Sequence, residues 1–320
     1  MSPDRVETEV EGRRITLSNL DKVLYPDTGF TKADVIDYYA KIAPVMLPHL
    51  QDRPLTMRRF PNGVSSASFF EKNVPKGAPP WIRTVVVPSV REGRASGRRG
   101  SGNGSVTHVV CDGLPTLVWA ANLAAIELHV PLWRIGEGDG RPTFPDHIVF
   151  DLDPGPGTDV VECARIAIWL ADRLGQAPVG PPVVKTSGSK GLQVYAALTE
   201  RLDWTGVRDL ALGIGRELEE DSPDLVVTNM RKELREGRVL IDWSQNHPVK
   251  TTVAVYSLRA RPEPTVSTPV SWDEVKRCAS AGDPALLRFV AADVLKRVAR
   301  DGDLFAAVAP GSTPRRGRSG

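Results

Sequence analysis

Apolar and polar positions divide the chain into strand-like and helix-like segments. The run "RRITLSNL", residues 13–20, is typical of a strand, and Thr31 begins "TKADVIDYYAKIAPVMLPHL", an amphipathic helix with a capping box to Asp34. Pro44 and Pro48 predict that this helix bends or ends near them. Short apolar runs with prolines in residues 53–90 predict strands and irregular connections. The segment "LPTLVWAANLAAIELHV", residues 114–130, is apolar almost all round and predicts one buried helix.

The second half of the chain alternates apolar strands with amphipathic helices. A strand at residues 148–152 leads to the helix "DVVECARIAIWLADRLG", "PPVVKT" leads through a turn to "LQVYAAL", and the helix "GVRDLALGIGREL" precedes the strand "RVLID". These elements predict an α/β or α+β sheet fold. Two polar segments break the pattern. "REGRASGRRGSGNG", residues 91–104, predicts a flexible basic loop, and "PGSTPRRGRSG" predicts a disordered end.

Composition narrows the class of protein. The 320 residues are 41% hydrophobic, enough for one large or two ordinary globular domains. The formal net charge of +2 means that affinity for a polyanion must come from local clusters of Arg and Lys. Three widely spaced cysteines argue against a disulfide framework or a zinc motif and favour a reducing compartment. No apolar run approaches the roughly 20 residues of a membrane span, and the start lacks a signal-peptide core, so we expect a cytoplasmic protein.

Two aspartates end the apolar run "IVFDLDPG". Alternate side chains of a strand share a face, so Asp151 and Asp153 converge on the face opposite Ile148, Phe150 and Leu152. Close carboxylates repel unless one is protonated or a cation lies between them, and an oxygen-only ligand set suits Mg²⁺ or Mn²⁺. The alternative is that one aspartate caps the turn or the following helix. An isolated Asp-x-Asp does not decide between the two.

A third aspartate, Asp242, lies inside the apolar strand "RVLIDW". A buried lone carboxylate is costly, so Asp242 is a candidate third ligand of the same site. The alternative is an ion pair with Arg235 or Arg238. Three carboxylates on adjacent strands would hold two cations about 4 Å apart, an arrangement suited to phosphoryl or nucleotidyl transfer.

The turn "VVKTSGSKGLQVY" lies between these strands. Its backbone N–H groups, with Lys185 and Lys190, are predicted to line a phosphate. It lacks the P-loop spacing, and the alternative is an ordinary hairpin turn. Downstream, Gln245, Lys250, Arg259 and Arg261 are either further phosphate contacts or solvated side chains. His129, at the end of the predicted helix, is either a satisfied half-buried histidine or a nucleotide contact.

Four motifs in order, "FDLDPG", "KTSGSKGL.VY", "IDWSQN..VKTT" and "YSLRARP", resemble the polymerase domain of bacterial ATP-dependent DNA ligase D, of the archaeo-eukaryotic primase superfamily. The similarity extends over about residues 15–297 and adds the motifs "LSNLDKVLYP", "TKADVIDYYAKIAPVMLPHL", "RRFPNG", "FFEK" and "NLAAIELHVPLWR". It implies an α+β fold: a primase-like catalytic core of central, mostly antiparallel β-sheets flanked by helices. That core would span residues 15–300, with the basic loop 91–104 inside it, an N-terminal extension at 1–14 and a C-terminal tail at 301–320.

The resemblance also implies an activity and partners. Such domains are minimal polymerases, DNA-directed nucleotidyltransferases that add NTPs or dNTPs at gaps and broken ends during repair, including non-homologous end joining. Two Mn²⁺ ions, or Mg²⁺, are the implied cofactors. The implied partner is gapped or broken double-stranded DNA with a 5′-phosphate, and Ku and a separate ATP-dependent DNA ligase are candidate protein partners. We expect a nucleoid-associated monomer, with an end-bridging dimer on DNA as the alternative.

By position in the motifs, the resemblance assigns roles to sixteen residues. Asp151, Asp153 and Asp242 match the catalytic metal triad. The nucleotide pocket is matched by His129, Ser187, Lys190, Gln193, Arg235, Gln245 and Arg259. The pocket for the DNA 5′-phosphate is matched by Asn19, Lys22 and Lys32, the template-stacking pair by Phe69 and Phe70, and a further DNA contact by Arg58. Core packing for the phenylalanines and a solvated surface for the lysines are the alternatives.

Some positions depart from the family pattern. Gln193 stands where His is usual, and an amide cannot become a cation. Arg58 stands where Lys is common, and "NHPVK" replaces "NNPAK". Gln193 keeps open a second hypothesis, a catalytically weak module that binds and bridges DNA ends. A third hypothesis is a haloacid-dehalogenase-type phosphatase, which the mid-chain position of the motif and Pro154 after it disfavour.

Overall fold

The computed structural model describes residues 5–88, 104–136 and 141–310. Residues 91–103 of the predicted basic loop and residues 311–320 of the predicted tail lie outside these ranges. Within them the chain forms two six-stranded sheets, two small two-stranded sheets and six α-helices. None of the described helices is both long enough and apolar enough to cross a membrane.

The element bounds follow the chain. The strands are β1 (Arg5–Val10), β2 (Arg13–Ser18), β3 (Val23–Tyr25), β4 (Phe30–Thr31), β5 (Pro54–Arg59), β6 (Phe69–Glu71), β7 (Thr84–Pro88), β8 (Ser105–Val110), β9 (Ala125–Val130), β10 (His147–Pro154), β11 (Val183–Thr186), β12 (Leu192–Ala197), β13 (Val226–Val227), β14 (Val239–Asp242), β15 (Thr252–Val253) and β16 (Pro269–Val270). The α-helices are α1 (Lys32–Leu50), α2 (Leu114–Asn122), α3 (Val160–Leu174), α4 (Trp204–Asp221), α5 (Trp272–Ala281) and α6 (Ala291–Asp301).

The first sheet has the strand order β13-β14-β10-β12-β11-β16, with β10 near its centre. Every pair in it is antiparallel except β13 with β14. Ile148, Phe150 and Leu152 of β10 are fully buried against α3 and α4. The other face of β10 therefore carries Val149, Asp151 and Asp153, as the alternation predicts.

The second sheet has the order β15-β9-β5-β8-β7, with β6 paired to β5, and is antiparallel throughout. Helices α1 and α2 pack on it around a core that includes Ile126 and Leu128 of β9. Val149 of the first sheet belongs to the same core, so the aspartate-bearing face of β10 is turned toward the second sheet.

Local sequence explains the helix starts. Thr31 and Asp34 form the predicted capping box of α1, with reciprocal side-chain-to-backbone bonds. Helix α1 contains both Pro44 and Pro48 and ends at Leu50.

The single helix predicted for residues 114–130 is wrong. Helix α2 ends at Asn122, and residues 125–130 form strand β9 between β5 and β15. Ala124, with a φ of 56°, has the left-handed conformation that ends the helical path. An apolar run cannot be assigned by periodicity alone, and pairing on both edges of β9 decides it.

Both predicted terminal segments contact the rest of the fold where the structure describes them. Strand β1 of the predicted extension pairs with β2. Near the other end, Phe305 and Val308 are buried in the main core, and Asp303 accepts a hydrogen bond from the Tyr256 hydroxyl. The domain boundaries at residues 15 and 300 stay predictions.

Gly191 lies at the start of β12, where the chain approaches β10 closely. A Cβ there would lie 1.9 Å from the backbone oxygen of Leu152. We expect Gly191→Ala to lower the free energy of unfolding by about 1–3 kcal/mol, since the sheet must shift to admit it. Gly213 in α4 is exposed, with open space at its Cβ position, so Gly213→Ala should raise that free energy by about 0.5–1 kcal/mol. Denaturant unfolding measures both, and a neutral Gly191→Ala would contradict the close approach.

Candidate active site

The three predicted metal-binding aspartates lie on neighbouring strands of the first sheet. In the register of β10 and β14, Asp151 is directly opposite Asp242. Asp153 is two residues further along β10 and shares the face of Asp151. The strand register therefore brings three carboxylates together, although Asp151 and Asp242 are 91 residues apart in sequence.

Mutual repulsion raises the pKa values of Asp151 and Asp153. Burial and the neighbouring charges of Asp153 and Asp242 together raise the pKa of Asp151 to about 7, against a hydrogen bond from Gln193. Burial and the charge of Asp242 also raise the pKa of Asp153, against the positive charges of Arg235 and Arg259. A cation between these oxygens would remove the repulsion, so the donor set and its charge fit a hard divalent ion.

The side chains are not arranged as a formed metal site. Among the described residues, no group of three or more His, Cys, Asp or Glu side chains is placed to hold an ion. Asp242 Oδ1 accepts hydrogen bonds from the backbone N–H and hydroxyl of Ser244, and Oδ2 accepts one from Gln245 Nε2. A carboxylate oxygen has two lone pairs, so Oδ2 retains capacity for a cation. The predicted pairing of Asp242 with Arg235 or Arg238 is absent from the ion pairs of the described residues.

Gln193, the departure from the family pattern, lies on β12 directly opposite Asp151. Its side-chain oxygen accepts a hydrogen bond from the Lys185 ammonium at 2.5 Å, and the amide also bonds to Asp151. Lys185 is 1% exposed, and it also donates to Ser267 Oγ and the Val253 carbonyl. The prediction that Lys185 lines a phosphate is therefore wrong, because its side chain points into the protein. Gln193 links this buried amino group, whose pKa burial lowers to about 7, to the central carboxylate.

A cavity of about 390 Å³ opens over the aspartates. Asp151 and Asp153 line it, and Asp242 is not among the lining residues. All seven residues predicted for the nucleotide pocket line it as well: His129, Ser187, Lys190, Gln193, Arg235, Gln245 and Arg259. The structure thus gathers side chains from β9, the β11–β12 turn, β12 and the segment after β14 around one space.

The β11–β12 turn is organised by the Ser187 hydroxyl. Ser187 Oγ accepts hydrogen bonds from the backbone N–H groups of Ser189 and Gly191. These two N–H groups are therefore occupied, and the prediction that the turn's backbone lines a phosphate would depend on its other N–H groups. The positive charge at the turn comes instead from side chains, with Lys190 in the cavity wall and Arg259 Nη1 donating to the Ser187 carbonyl.

The predicted 5′-phosphate residues cluster at the start of α1. The backbone oxygen of Asn19 accepts from Lys22 N, and the Lys32 ammonium donates to the Ser18 carbonyl at 2.6 Å. Burial, followed by the charges of Lys22 and Arg59, lowers the pKa of Lys32 to about 8. Lys32 is 6% exposed, which excludes a solvated surface position for it, whereas Lys22 is exposed.

Phe69 and Phe70 are on the surface, so core packing does not explain them. Their exposed fractions are 46% and 57%. In the β5–β6 register Phe70 is opposite Arg58 and Phe69 opposite Arg59, and each guanidinium lies 5.3–5.4 Å from the centre of its ring. Phe70 also meets the His129 ring edge-on at 5.5 Å. The pair is thus an exposed aromatic surface between the cavity and the Lys32 cluster.

Comparison with known proteins identifies the family. The model of the LigD primase-polymerase domain matches residues 31–305. The chain belongs to this family. The haloacid-dehalogenase hypothesis is thereby set aside.

Curated relatives of this LigD primase-polymerase domain are larger proteins. The multifunctional non-homologous end joining DNA repair protein LigD of Mycobacterium tuberculosis H37Rv is 44% identical over 298 residues, 92% of this chain and 37% of the relative. LigD of Mycolicibacterium smegmatis is 42% identical over 92% of this chain and 36% of the relative, and the bifunctional LigD of Bacillus subtilis is 30% identical over 91% and 44%. The chain thus spans less than half of each relative.

A solved structure confirms the fold class. The polymerase domain of Mycobacterium tuberculosis ligase D, determined in complex with DNA, superposes with a TM-score of 0.82 at 42% identity, covering 93% of this chain and 99% of that one. The predicted α+β fold with mostly antiparallel sheets is correct for this LigD primase-polymerase domain.

Two further residues of this LigD primase-polymerase domain escaped the sequence analysis. Arg59 lies beside Lys32 and donates to Glu71 and to the Leu123 carbonyl. Glu127 is 2% exposed and contacts His129 and other basic groups near the cavity. The alternation of "AIELHV" signals an inward Glu127 and His129 on one face, but only if the segment is taken as a strand.

The link through Gln193 can be tested without assuming any activity. Gln193→Leu removes both the acceptor for Lys185 and the donor to Asp151, so we expect the free energy of unfolding to fall by about 1–3 kcal/mol. A neutral imidazole keeps one acceptor and one donor, so Gln193→His should retain most of that stability. Denaturant unfolding of both variants is the measurement. Equal stability of Gln193→Leu and the unmodified protein would show that the link contributes nothing.

Proposed function

We propose that the chain is a DNA-dependent nucleotidyltransferase, a polymerase that adds NTPs or dNTPs at gaps and broken ends during DNA repair. The observation that carries the proposal is the cavity in which two carboxylates of β10 face Lys190, Arg235 and Arg259. Carboxylates for cations on one side and fixed positive charges on the other suit a nucleoside triphosphate. The relatives named above are end-joining repair proteins, and the superposed polymerase domain was determined with DNA.

In this proposal Asp151, Asp153 and Asp242 hold two Mn²⁺ or Mg²⁺ ions. When bound, the ions would lower the charge on the phosphates and favour deprotonation of the attacking hydroxyl. The chain's own contribution is position: Arg259 is fixed between Glu127 and the Ser187 carbonyl, and Arg235 Nη2 donates to the Met230 carbonyl at 2.7 Å. Charges held this way need no rearrangement when the triphosphate reacts.

DNA would bind on the second sheet. Lys22 and Lys32, with Asn19, would hold the 5′-phosphate across a gap, where the N-terminus of α1 adds its own partial positive charge. Phe69 and Phe70 would stack on template bases, which suits an enzyme that accepts any base.

The second candidate function, an end-binding and bridging module with weak catalysis, rests on Gln193. It would use Lys22 and Lys32 and not the cavity. Ku, a separate ligase and a bridging dimer stay predictions under either function.

Extension of gapped DNA separates the two functions. With Mn²⁺ and each NTP or dNTP, the protein should extend a primer by the templated nucleotide. Asp151→Asn should reduce the rate by at least about a hundredfold, since it removes a charged ion ligand while keeping its size. The matched control is Asp172→Asn on the exposed face of α3, which should extend normally. Binding without extension would favour the bridging module, and extension by Asp151→Asn at the normal rate would exclude the proposed triad.

The proposed 5′-phosphate pocket predicts a pH dependence of DNA binding. Lys32 binds a phosphate best when protonated, and its pKa of about 8 means that protonation is lost as the pH rises above that value. The preference for gapped DNA with a 5′-phosphate over the same DNA with a 5′-hydroxyl should therefore decline from about pH 8 upward. Fluorescence anisotropy with both DNAs measures it, and the 5′-hydroxyl DNA is the control.

Lys22→Ala sharpens this test. Removing the Lys22 charge weakens the preference at pH 7 and raises the pKa of Lys32, so the decline should begin at higher pH. A preference that is constant between pH 7 and 9.5 in the unmodified protein would exclude Lys32 as the phosphate contact.

A further inference from the structure

We infer that Glu127 is the positioning residue that holds the basic side chains of the nucleotide pocket and of the template surface in one arrangement. The inference rests on the proposed polymerase function and adds to it a residue to which the sequence analysis assigned no role. Glu127 does not line the cavity, so its role is to act through its neighbours.

Glu127 is a buried carboxylate with basic partners from three strands or segments. It is 2% exposed on β9, opposite Arg58 of β5. Its oxygens lie 3.4 Å from Arg58 Nη1, 3.1 Å from His129 Nε2 and 3.3 Å from Arg259 Nε. The Ala260 N–H also donates to Oε1 at 3.1 Å. The His129 contact, the Arg259 charge and the Ala260 N–H hold the pKa of Glu127 well below its usual range despite burial, so the group is an anion.

The partners of Glu127 reach more than one part of the site. His129 and Arg259 line the cavity, and Arg259 continues to the Ser187 carbonyl in the β11–β12 turn. Arg58 lies over the ring of Phe70, and Phe70 in turn meets His129. One carboxylate therefore connects the wall of the nucleotide cavity to the exposed aromatic pair, through side chains on β5, on β9 and after β15.

The contact with Glu127 also fixes which ring nitrogen of His129 carries the proton. Burial lowers the pKa of His129, so the ring is neutral near pH 7, and a neutral ring facing a carboxylate through Nε2 carries its proton there. Nδ1 is then an acceptor. Loss of the carboxylate would release the ring orientation, the Arg259 guanidinium and the Arg58 guanidinium together, because removing one partner of a buried charge group leaves the others uncompensated.

Kinetics of Glu127→Gln tests the inference. We expect KM for the incoming nucleotide to rise by about 10- to 100-fold, the usual loss when a group that orients binding residues is removed. The change in kcat should be smaller, because the aspartates on β10 and β14 keep their strand positions. The matched control is Glu274→Gln, which breaks a half-buried carboxylate–arginine pair, with Arg297, and neither residue lines the cavity. It should lower stability and leave KM unchanged.

The outcomes separate the two proposals. If the unmodified protein extends no DNA, the polymerase proposal fails. If it extends DNA and Glu127→Gln has a KM within twofold of normal, Glu127 is merely structural and the inference is overturned. If Glu127→Gln fails to fold, ¹⁵N NMR of the unmodified protein still decides the His129 contact. Comparison with the spectrum of His129→Asn assigns the ring nitrogen signals of His129. A proton on Nε2 at pH 7 is expected, and a neutral ring protonated on Nδ1 would overturn it.

Discussion

Repulsion among three carboxylates on β10 and β14 is the constraint to which the surrounding structure is adapted. Each carboxylate has its own compensating group: Gln193 beside Asp151, positive charge from arginines beside Asp153, and Ser244 with Gln245 on Asp242. The pKa values of Asp151 and Asp153 stay raised in spite of these groups, so a cation between the carboxylates would relieve repulsion that the protein leaves in place.

The cavity exists only because the two sheets are packed against each other. The first sheet brings the acidic groups, and the second brings His129, Arg58 and the aromatic pair. Glu127, on the second sheet, holds Arg259, whose side chain reaches the β11–β12 turn of the first. Both sheets therefore contribute side chains to the site, which makes it a property of the whole fold.

Local rules were sufficient to predict part of the site. Alternation along one strand placed Asp151 and Asp153 on a common face, and burial cost singled out Asp242, although only register shows them side by side. Local rules are not sufficient where tertiary pairing decides. The apolar segment before His129 satisfies a helix pattern, and only β5 and β15 make its end a strand, so Glu127 was missed. The direction of the Lys185 side chain depends likewise on its distant partners.

The β5–β6 pairing turns adjacent residues toward different parts of the site. Arg58 with Phe70 faces the Glu127 cluster, while Arg59 with Phe69 faces Lys32. Because faces alternate at every residue, gain or loss of one residue within β5 or β6 would exchange the two pairs. Such a change would need a compensating bulge, like the irregularity between β5 and β9, to keep each arginine on its own side.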